Sequence, residues 1–337
     1  MRSSSRHLLL AADVGGTKTT LALLSPDALF GPPVREAVYA SAAYSSLEAI
    51  VEDFLSADRK KVARAVFAVA GPVLCEKARL TNLPWTVEAS SMRSQLDLPE
   101  ALLLNDVEGL AWAVPYLSGK DLHTLNDRSP ADDGSIAVLA AGTGLGEASL
   151  IRDGDRFVAC PSEGGHADFA PRNEVQIELL QFLLRDLDHV GCEQVASGQG
   201  LTNVYRFYRD GRGMTEENPV EERLAETDDP APVLIEAAVR GESELCFRTV
   251  ETFVEVLAAE AGNSALRVFA TGGVFLGGGI PLRILSFLEA EPFMRSFARK
   301  GRFTSFLERI PVHVILQPRA VLLGAARRAA GEAFEGA

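Results

Sequence analysis

The chain has 337 residues, of which 47% are hydrophobic and 23% are charged, so two domains of about 100 to 200 residues are expected. Its net charge of −13 argues against a general affinity for nucleic acid. The four cysteines are scattered without a CxxC pair, and no apolar run approaches the ~20 residues that a membrane helix needs. The composition therefore predicts a cytoplasmic protein without nucleic-acid or membrane partners.

The chain opens with a strand, a glycine turn and a second strand. Apolar and β-branched residues at 7–14 and 19–24 flank Gly15-Gly16, which predicts a hairpin rather than the strand-to-helix turn of a Walker-type loop. Apolar residues spaced by three and four at 46–58 predict a helix that begins after a serine cap. The next predicted elements are strands at 62–69 and 101–104 and a helix at 107–114. This alternation predicts a mixed α/β core.

The second part of the chain repeats the opening pattern. A polar stretch at 115–133 predicts a crossing into another domain, and strands at 136–140 and 148–151 then flank a second glycine turn. A helix is then predicted at 174–188, with a capping box, and an acidic surface loop or short helix at 214–232. A long helix is predicted from Ser243 to about Ala270, stopped by Thr271-Gly272-Gly273. The last predicted elements are a strand at 274–276 and a helix from Ala320 to about Phe334. The predicted domains are 1–113 with 318–337, and 114–317.

Three glycine-rich segments could bind a nucleotide. In the first, Gly15-Gly16 would let backbone N–H groups approach phosphate oxygens without a Cβ in the way, and Thr17 adds a hydroxyl donor. Asp13 could hold Mg²⁺ directly or through water. A plain hairpin after an aspartate is the alternative, but Gly142-Thr143-Gly144 offers the same chemistry and weakens that alternative. Gly277-Gly278-Gly279 follows another short strand.

Asp106 follows an apolar strand and opens a helix, which places its carboxylate where ligands gather in α/β folds. The helix N-terminus favours the ionised form, which can accept a proton from a hydroxyl group. A helix cap at Asn105 or Asp106 is an equally good interpretation of this motif alone. Glu163-Gly164-Gly165-His166 presents an acceptor and a donor on a tight turn, as polyol recognition requires; a loop histidine without a role, or a metal site with Asp168, are the alternatives. Together the motifs predict an ATP-dependent sugar kinase.

These residues resemble the bacterial glucokinase family, within the hexokinase and actin-like ATPase superfamily, over nearly the whole chain. The resemblance is carried by Asp13-Val14-Gly15-Gly16-Thr17, Leu104-Asn105-Asp106, Gly142-Thr143-Gly144-Leu145-Gly146, Glu163-Gly164-Gly165-His166-Ala167-Asp168-Phe169, Glu193-Gln194-Val195-Ala196-Ser197-Gly198, Ala261-Gly262-Asn263, Gly272 to Pro281 and Lys300-Gly301-Arg302-Phe303. It implies an α/β, two-domain actin-like ATPase fold, related to ribonuclease H, with a deep inter-domain cleft and usually a homodimeric assembly.

The resemblance also implies an activity: ATP- and Mg²⁺-dependent phosphorylation of glucose to glucose 6-phosphate, the entry to glycolysis. Asp106 would be the catalytic base and Asn105 a sugar ligand. Glu163, His166 and Glu193 would bind sugar hydroxyls, and the role of Glu193 rests on the resemblance alone. The implied nucleotide-binding residues are Gly15, Gly16, Thr17, Gly142, Thr143 and Gly144 at the phosphates and Gly277, Gly278 and Gly279 near the adenosine.

Two other functions remain open at this point. One is phosphorylation of another hexose or an amino sugar, and the other is sugar sensing without turnover, against which the intact Asp106 argues. The glycine turns do not discriminate ATP from other phosphoryl donors. The chain departs from the family pattern at Val107-Glu108-Gly109, Ala141 and Gln199, which leaves the sugar preference open but not the reaction class.

Overall fold

The computed structural model describes residues 7–29, 31–80, 83–154, 156–216 and 218–331. The chain divides into two compact units, one of Met1–Ser118, Leu150–Pro161 and Gln317–Ala337, the other of Gly119–Ser149 and Ser162–Leu316. Residues 150–161 thus group with the first unit, whereas the sequence-based division kept them in the larger domain. Within the described ranges, no helix is long and apolar enough to cross a membrane.

Groups of strands are separated by groups of helices along the chain. The strands are β1 Leu8–Val14, β2 Lys18–Leu24, β3 Arg35–Ala40, β4 Val62–Val69, β5 Val73–Leu74, β6 Lys77–Arg79, β7 Thr86–Glu88, β8 Ala101–Asn105, β9 Leu122–Thr124, β10 Ile136–Ala141, β11 Leu145–Asp153, β12 Arg156–Ser162, β13 Gly273–Gly277 and β14 Val312–Ile315. The helices are α1 Leu47–Leu55, α2 Ala89–Gln95, α3 Asp106–Ala113, α4 Glu174–Leu183, α5 Gly198–Arg206, α6 Asn218–Ala225, α7 Ala231–Arg240, α8 Glu244–Val268, α9 Gly279–Arg283, α10 Leu285–Leu288, α11 Glu291–Ala298, α12 Thr304–Leu307 and α13 Ala320–Ala330.

The first unit is built on a five-stranded sheet of order β3-β2-β1-β4-β8, in which β1, β4 and β8 are parallel. Successive side chains of a strand point to opposite faces, so a central strand can serve two cores. In β1, Leu8 and Leu10 pack into the cluster that contains α1 and α2, whereas Leu9 and Ala11 pack into the cluster that contains α13. Burial on both faces explains why this strand is apolar throughout rather than alternating.

Two glycines allow α3 and α13 to cross closely on one side of this sheet. A Cβ placed on Gly324 would lie 1.7 Å from the carbonyl oxygen of Gly109, and one on Gly109 would lie 3.1 Å from the Ala68 Cβ. A side chain on Gly324 would overlap the α3 backbone, so the two helix backbones are in contact there, and a side chain on Gly109 would press on Ala68. Gly109, one of the departures from the family pattern, therefore has a packing role in this chain.

The carboxyl ends of the parallel strands are level with one another. Val14 of β1 pairs with Val69 of β4, and Val69 pairs with Asn105 of β8. Because neighbouring strands lie about 4.8 Å apart, the turn after β1 and the start of α3 leave the same sheet edge roughly 10 Å apart. This register is what gathers the two halves of the first unit's candidate site.

The second unit contributes β10, β13, β14, β9 and the start of β11 to a six-stranded sheet of order β12-β11-β10-β13-β14-β9. β10, β13 and β14 run parallel, and the short β9 pairs antiparallel with β14. The long helix α8 forms the centre of the core and packs against β10, α5, α7 and α11. The carboxyl ends of β10 and β13, which pair at Ala140 and Gly277, lead into the second and third glycine segments.

Most predicted elements are confirmed, with five differences. α4 ends at Leu183 instead of about residue 188, and in its capping box Gln176 accepts from the Arg172 N–H rather than from that of Asn173. α8 begins after Ser243 as predicted but ends at Val268, capped by Phe269 with φ +53°, so the stop is not the later glycine pair. The polar crossing also contains β9, and β11 begins at Leu145, earlier than predicted. The predicted end of the last helix near Phe334 lies outside the described residues.

Candidate active site

The first glycine turn is a hairpin turn held by a serine from outside it. The Gly15 N–H donates to the Lys18 carbonyl at 3.0 Å, while the fully buried Ser41 donates its hydroxyl to the Gly15 carbonyl at 2.8 Å. The Ser41 hydroxyl also lies 3.0 Å from that of the buried Thr19. Thr17, at the tip, is exposed. The turn is therefore fixed from behind, and its outer face is open to a ligand.

Asp13, at the end of β1, meets the requirements for a magnesium ligand. Burial raises the pKa of its carboxyl, and the Lys18 ammonium lowers it by a smaller amount. A cation at this carboxylate would offset that cost of burying its charge. In the described parts of the chain, no three His, Cys, Asp or Glu side chains form a metal cage. Mg²⁺ bound with a nucleotide needs only one or two carboxylates besides phosphates and water, so Asp13 alone fits that role.

Asn105 and Asp106 have different roles at the start of α3. The Asn105 side chain is the helix cap: its Oδ1 accepts from the backbone N–H groups of Val107 and Glu108 at 2.9 and 3.4 Å. Its Nδ2 donates to the Gly71 carbonyl in the loop after β4. Asp106 is the first helical residue and is half-buried, so its carboxylate stands at the positive end of the helix dipole. The capping interpretation thus applies chiefly to Asn105, while Asp106 Oδ1 also accepts the Val107 N–H at 2.9 Å.

In the second unit, the other two glycine segments touch each other. Gly278 has φ +89°, and a Cβ there would lie 2.2 Å from the carbonyl oxygen of Ala141, the residue before the Gly142 turn. That position requires glycine on both conformational and steric grounds. A Cβ on Gly142 or Gly279 would meet no atom within 4 Å, so space is open beside both segments. Thr143, in the second glycine segment, is exposed to solvent.

Glu193 is anchored on the second glycine turn. Its Oε2 accepts the Leu145 backbone N–H at 2.8 Å, and a Cβ on Gly144 would lie 2.4 Å from the same oxygen. Glu193 lies in the short helical turn Cys192–Gln194. Ser197, which follows this turn, donates its hydroxyl to the Glu193 carbonyl and caps α5. A predicted sugar-binding carboxylate is therefore in direct contact with a predicted phosphate-binding turn.

His166 lies between two carboxylates. Its Nδ1 is 3.8 Å from Glu193 Oε1, and its Nε2 is 3.9 Å from Glu163 Oε2. These separations are too long for good hydrogen bonds and leave room for the hydroxyl groups of a ligand. The side chains of His166 and Glu163 are 61% and 59% exposed, and that of Glu193 is 24% exposed. The three form an open set of donors and acceptors suited to a polyol.

Residues 163–166 form the loop that carries Glu163 and His166, two of the predicted sugar ligands. The backbone of this loop rests on β11. A Cβ on Gly165 would lie 2.0 Å from the Leu145 carbonyl oxygen, so only glycine permits this contact. Asp168, which the alternative metal site would share with His166, pairs with His189 at 3.0 Å. The groups that sequence reasoning missed are Ser41 behind the first turn and Glu147 beneath the loop. Neither stands in a motif with a characteristic spacing.

The fold and these groups define the class of protein. Two α/β units, each with parallel strands ending in glycine turns, constitute a sugar kinase fold, and the side chains predicted to bind hydroxyl groups lie beside one of these turns. The two-domain α/β fold expected from the sequence is confirmed by a solved structure, a glucokinase from an Antarctic psychrotroph. It is 31% identical, covers 97% of this chain and 99% of its own, and has a TM-score of 0.83.

The chain belongs to the glucokinase family. The family model described as Glucokinase matches residues 10–332. The glucokinase of Nostoc punctiforme is 38% identical over 96% of this chain and 99% of its own length. That of Yersinia enterocolitica is 36% identical over 94% of each. These matches extend over both units and all the motifs described above.

Proposed function

We propose that the chain transfers the γ-phosphoryl group of ATP to O6 of glucose. The observation that carries this proposal is the contact of Glu193 with the second glycine turn. Its carboxylate accepts the Leu145 N–H at 2.8 Å and faces His166 at 3.8 Å. A hydroxyl-binding group and a phosphate-binding turn are thus parts of one rigid structure, as transfer between a sugar and a nucleotide requires.

In the proposed reaction, Asp106 accepts the proton of the sugar hydroxyl as its oxygen attacks phosphorus. Backbone N–H groups of the turns at Gly15-Gly16 and Gly142-Thr143-Gly144, with the Thr17 hydroxyl, stabilise the charge on the phosphoryl oxygens. Gly277-Gly278-Gly279 borders the adenosine. Asn105 contributes to sugar binding, although its amide is largely committed to the helix cap and to Gly71.

Sugar selection is assigned to Glu163, His166 and Glu193. A site whose polar groups bond a hydroxyl rejects an analogue that lacks it by about 10⁴-fold or more, because those groups are then left unpaired. The apolar surroundings contribute far less, since a missing methylene group is worth only about 10- to 200-fold. Selectivity between epimers therefore reports on these three side chains.

Further features belong to the proposal. Mg²⁺, held by Asp13 directly or through water, would neutralise phosphate charge when it is bound with the nucleotide. We also propose a cytoplasmic location, a place at the entry to glycolysis, a homodimeric assembly, and domains of 1–113 with 318–337 and 114–317 that close around the substrates. Closure would exclude water, which would otherwise compete for the phosphoryl group.

A coupled assay tests the proposal. Glucose, MgATP and purified protein are mixed with glucose-6-phosphate dehydrogenase, and NADPH formation is followed. Sugar-dependent NADPH formation is expected. A parallel ADP-release assay with mannose and glucosamine compares sugars, and a higher kcat/KM for either would contradict glucose as the substrate. Glucose that raises the melting temperature without any turnover would instead favour the sensing alternative.

A further inference from the structure

A pair of buried glutamates lies directly beneath the sugar-binding loop. Glu147 on β11 and Glu260 on α8 are each 5% exposed. A Cβ on Gly164 would lie 2.4 Å from Glu147 Oε2, and the Gly164 N–H is held by the Ser162 hydroxyl at 2.9 Å. The carboxylate therefore touches the backbone between the two sugar ligands Glu163 and His166.

One positively charged side chain, that of Arg267, contacts both glutamates, so a single positive charge would have to balance two negative charges if both carboxylates were ionised. One guanidinium serves both: Arg267 lies 2.7 Å from Glu260 Oε1 but 3.5 Å from Glu147 Oε2, and its side chain is 48% exposed. Ser264 donates its hydroxyl to Glu147 Oε2 at 2.9 Å. Glu147 Oε1 is buried and has no partner among the groups described.

A shared proton resolves this arrangement. Two carboxylates are both acceptors, so a hydrogen bond between them needs one proton. Burial, the charge of Glu260 and a hydrogen bond to Glu260 together raise the pKa of Glu147 to about 7, against the smaller lowering effects of Ser264 and Arg267. The other charged or titratable groups that face the pair are Arg267 on α8, Cys192 before Glu193, and Lys300, which donates to the Ala259 carbonyl and the Asn263 side chain.

The two remaining groups do not replace that proton. Burial raises the pKa of the Cys192 thiol well above its usual value, so it stays neutral. Burial lowers the pKa of Lys300 to about 8, so its ammonium group loses its proton more readily than an exposed lysine does. A cavity of about 180 Å³ borders Cys192, Glu260 and Lys300, so there is open space on the Glu260 side of the pair. When the proton is lost, repulsion between the carboxylates would displace Glu147, and with it the Gly164 backbone.

We propose that Glu147 is a positioning residue for sugar binding, and that one proton held between Glu147 and Glu260 keeps the loop at 163–166 in its sugar-binding form. The inference rests on the proposed function, because it concerns the same sugar ligands. Glu147 does not touch the sugar and acts only through Gly164. The sugar affinity therefore falls as the proton is lost, while the chemical step is unaffected.

The test compares the pH dependence of KM and kcat for wild type, Glu147→Gln and Glu260→Gln. One proton can change KM by at most about tenfold per pH unit, so the wild-type KM for glucose should rise about 5- to 25-fold from about pH 6.5 to 8.5. Glutamine keeps the shape and cannot ionise, so both variants should rise less than about twofold over the same range, with kcat changed less than about twofold. Glu251→Gln, which removes a surface partner of Arg248 on the same helix, should behave as wild type.

Several outcomes would overturn the inference. An active wild type whose KM profile coincides with that of Glu147→Gln contradicts it, as does a variant that loses kcat but keeps KM. A wild type without glucose turnover refutes the proposed function instead. Infrared difference spectra test the proton independently of activity. A carbonyl band of a protonated carboxyl should be lost between about pH 6 and 8.5 in wild type and be absent from Glu147→Gln; its absence from wild type contradicts the inference.

Discussion

The stability of the protein should depend on pH through Glu147, and Glu147→Gln should remove that dependence. Its carboxyl has a pKa of about 7 in the folded protein against a model-peptide value of 4.5. Between these values the folded protein keeps a proton that the unfolded chain has released. The free energy of unfolding therefore falls as the pH rises through this window and is constant above it. A shift of this size corresponds to about 3 kcal/mol.

Glutamine carries no such penalty, so the variant and the wild type should differ little near pH 4.5 and most above pH 7. For a unit of this size, 1 kcal/mol changes the melting temperature by about 2–4 °C, so Glu147→Gln should melt about 6–12 °C higher than wild type at pH 8. Scanning calorimetry at several pH values measures the difference, with Glu251→Gln as the control. If the melting temperatures of variant and wild type differ by the same amount at pH 5 and pH 8, or if the variant is less stable at pH 8, then the pKa of Glu147 is not raised in the folded protein.

Three further variants test the site. Gly278→Ala should lower the melting temperature by several degrees and weaken ATP binding, because its Cβ would lie 2.2 Å from a carbonyl oxygen. Gly119→Ala, at a glycine outside the site with no atom within 4 Å of the added Cβ, should do neither, and thermal melts with and without ATP check this. Ser41→Ala leaves the Gly15 carbonyl unpaired at a cost of about 1–3 kcal/mol and should raise the KM for ATP but not for glucose in steady-state kinetics. Glu193→Gln keeps an acceptor for the turn and should raise the KM for glucose at least about tenfold with little change for ATP, and equal effects on both substrates would contradict its assignment to the sugar.

The hairpin and the helix starts could be predicted because their signals are local. The strands on either side of Gly15-Gly16 carry their own apolar pattern, and Ser243 precedes its helix directly. The end of that helix could not be predicted from the same rules. Phe269 adopts the left-handed conformation that usually selects glycine, and its ring stacks on Phe306 at 4.5 Å. This tertiary contact compensates the unfavourable backbone conformation of Phe269, and no neighbouring residue in the sequence indicates that the contact exists.

The site was predictable to the extent that its residues stand in motifs. Asp106 and Glu163 could be proposed from the residues around them, although the sequence could not decide whether Asn105 or Asp106 caps the helix. Ser41 supports a turn 26 residues away, and Glu147 meets Ser264 at a separation of 117 residues. Such partners are brought together by packing of the complete chain. The pattern of nearby residues therefore gives no sign of them.

Asp106 is proposed to be the base in phosphoryl transfer to a bound sugar. Asp106→Asn should be compared with wild type by measuring kcat in the coupled assay and the glucose Kd by calorimetry on the same preparations. We expect a kcat lower by about 10²–10⁴-fold and a Kd changed by less than about threefold, since asparagine keeps the shape but cannot take a proton. A variant that retains wild-type kcat, or one that loses turnover only because it no longer binds glucose, would contradict the assignment of Asp106 as the base.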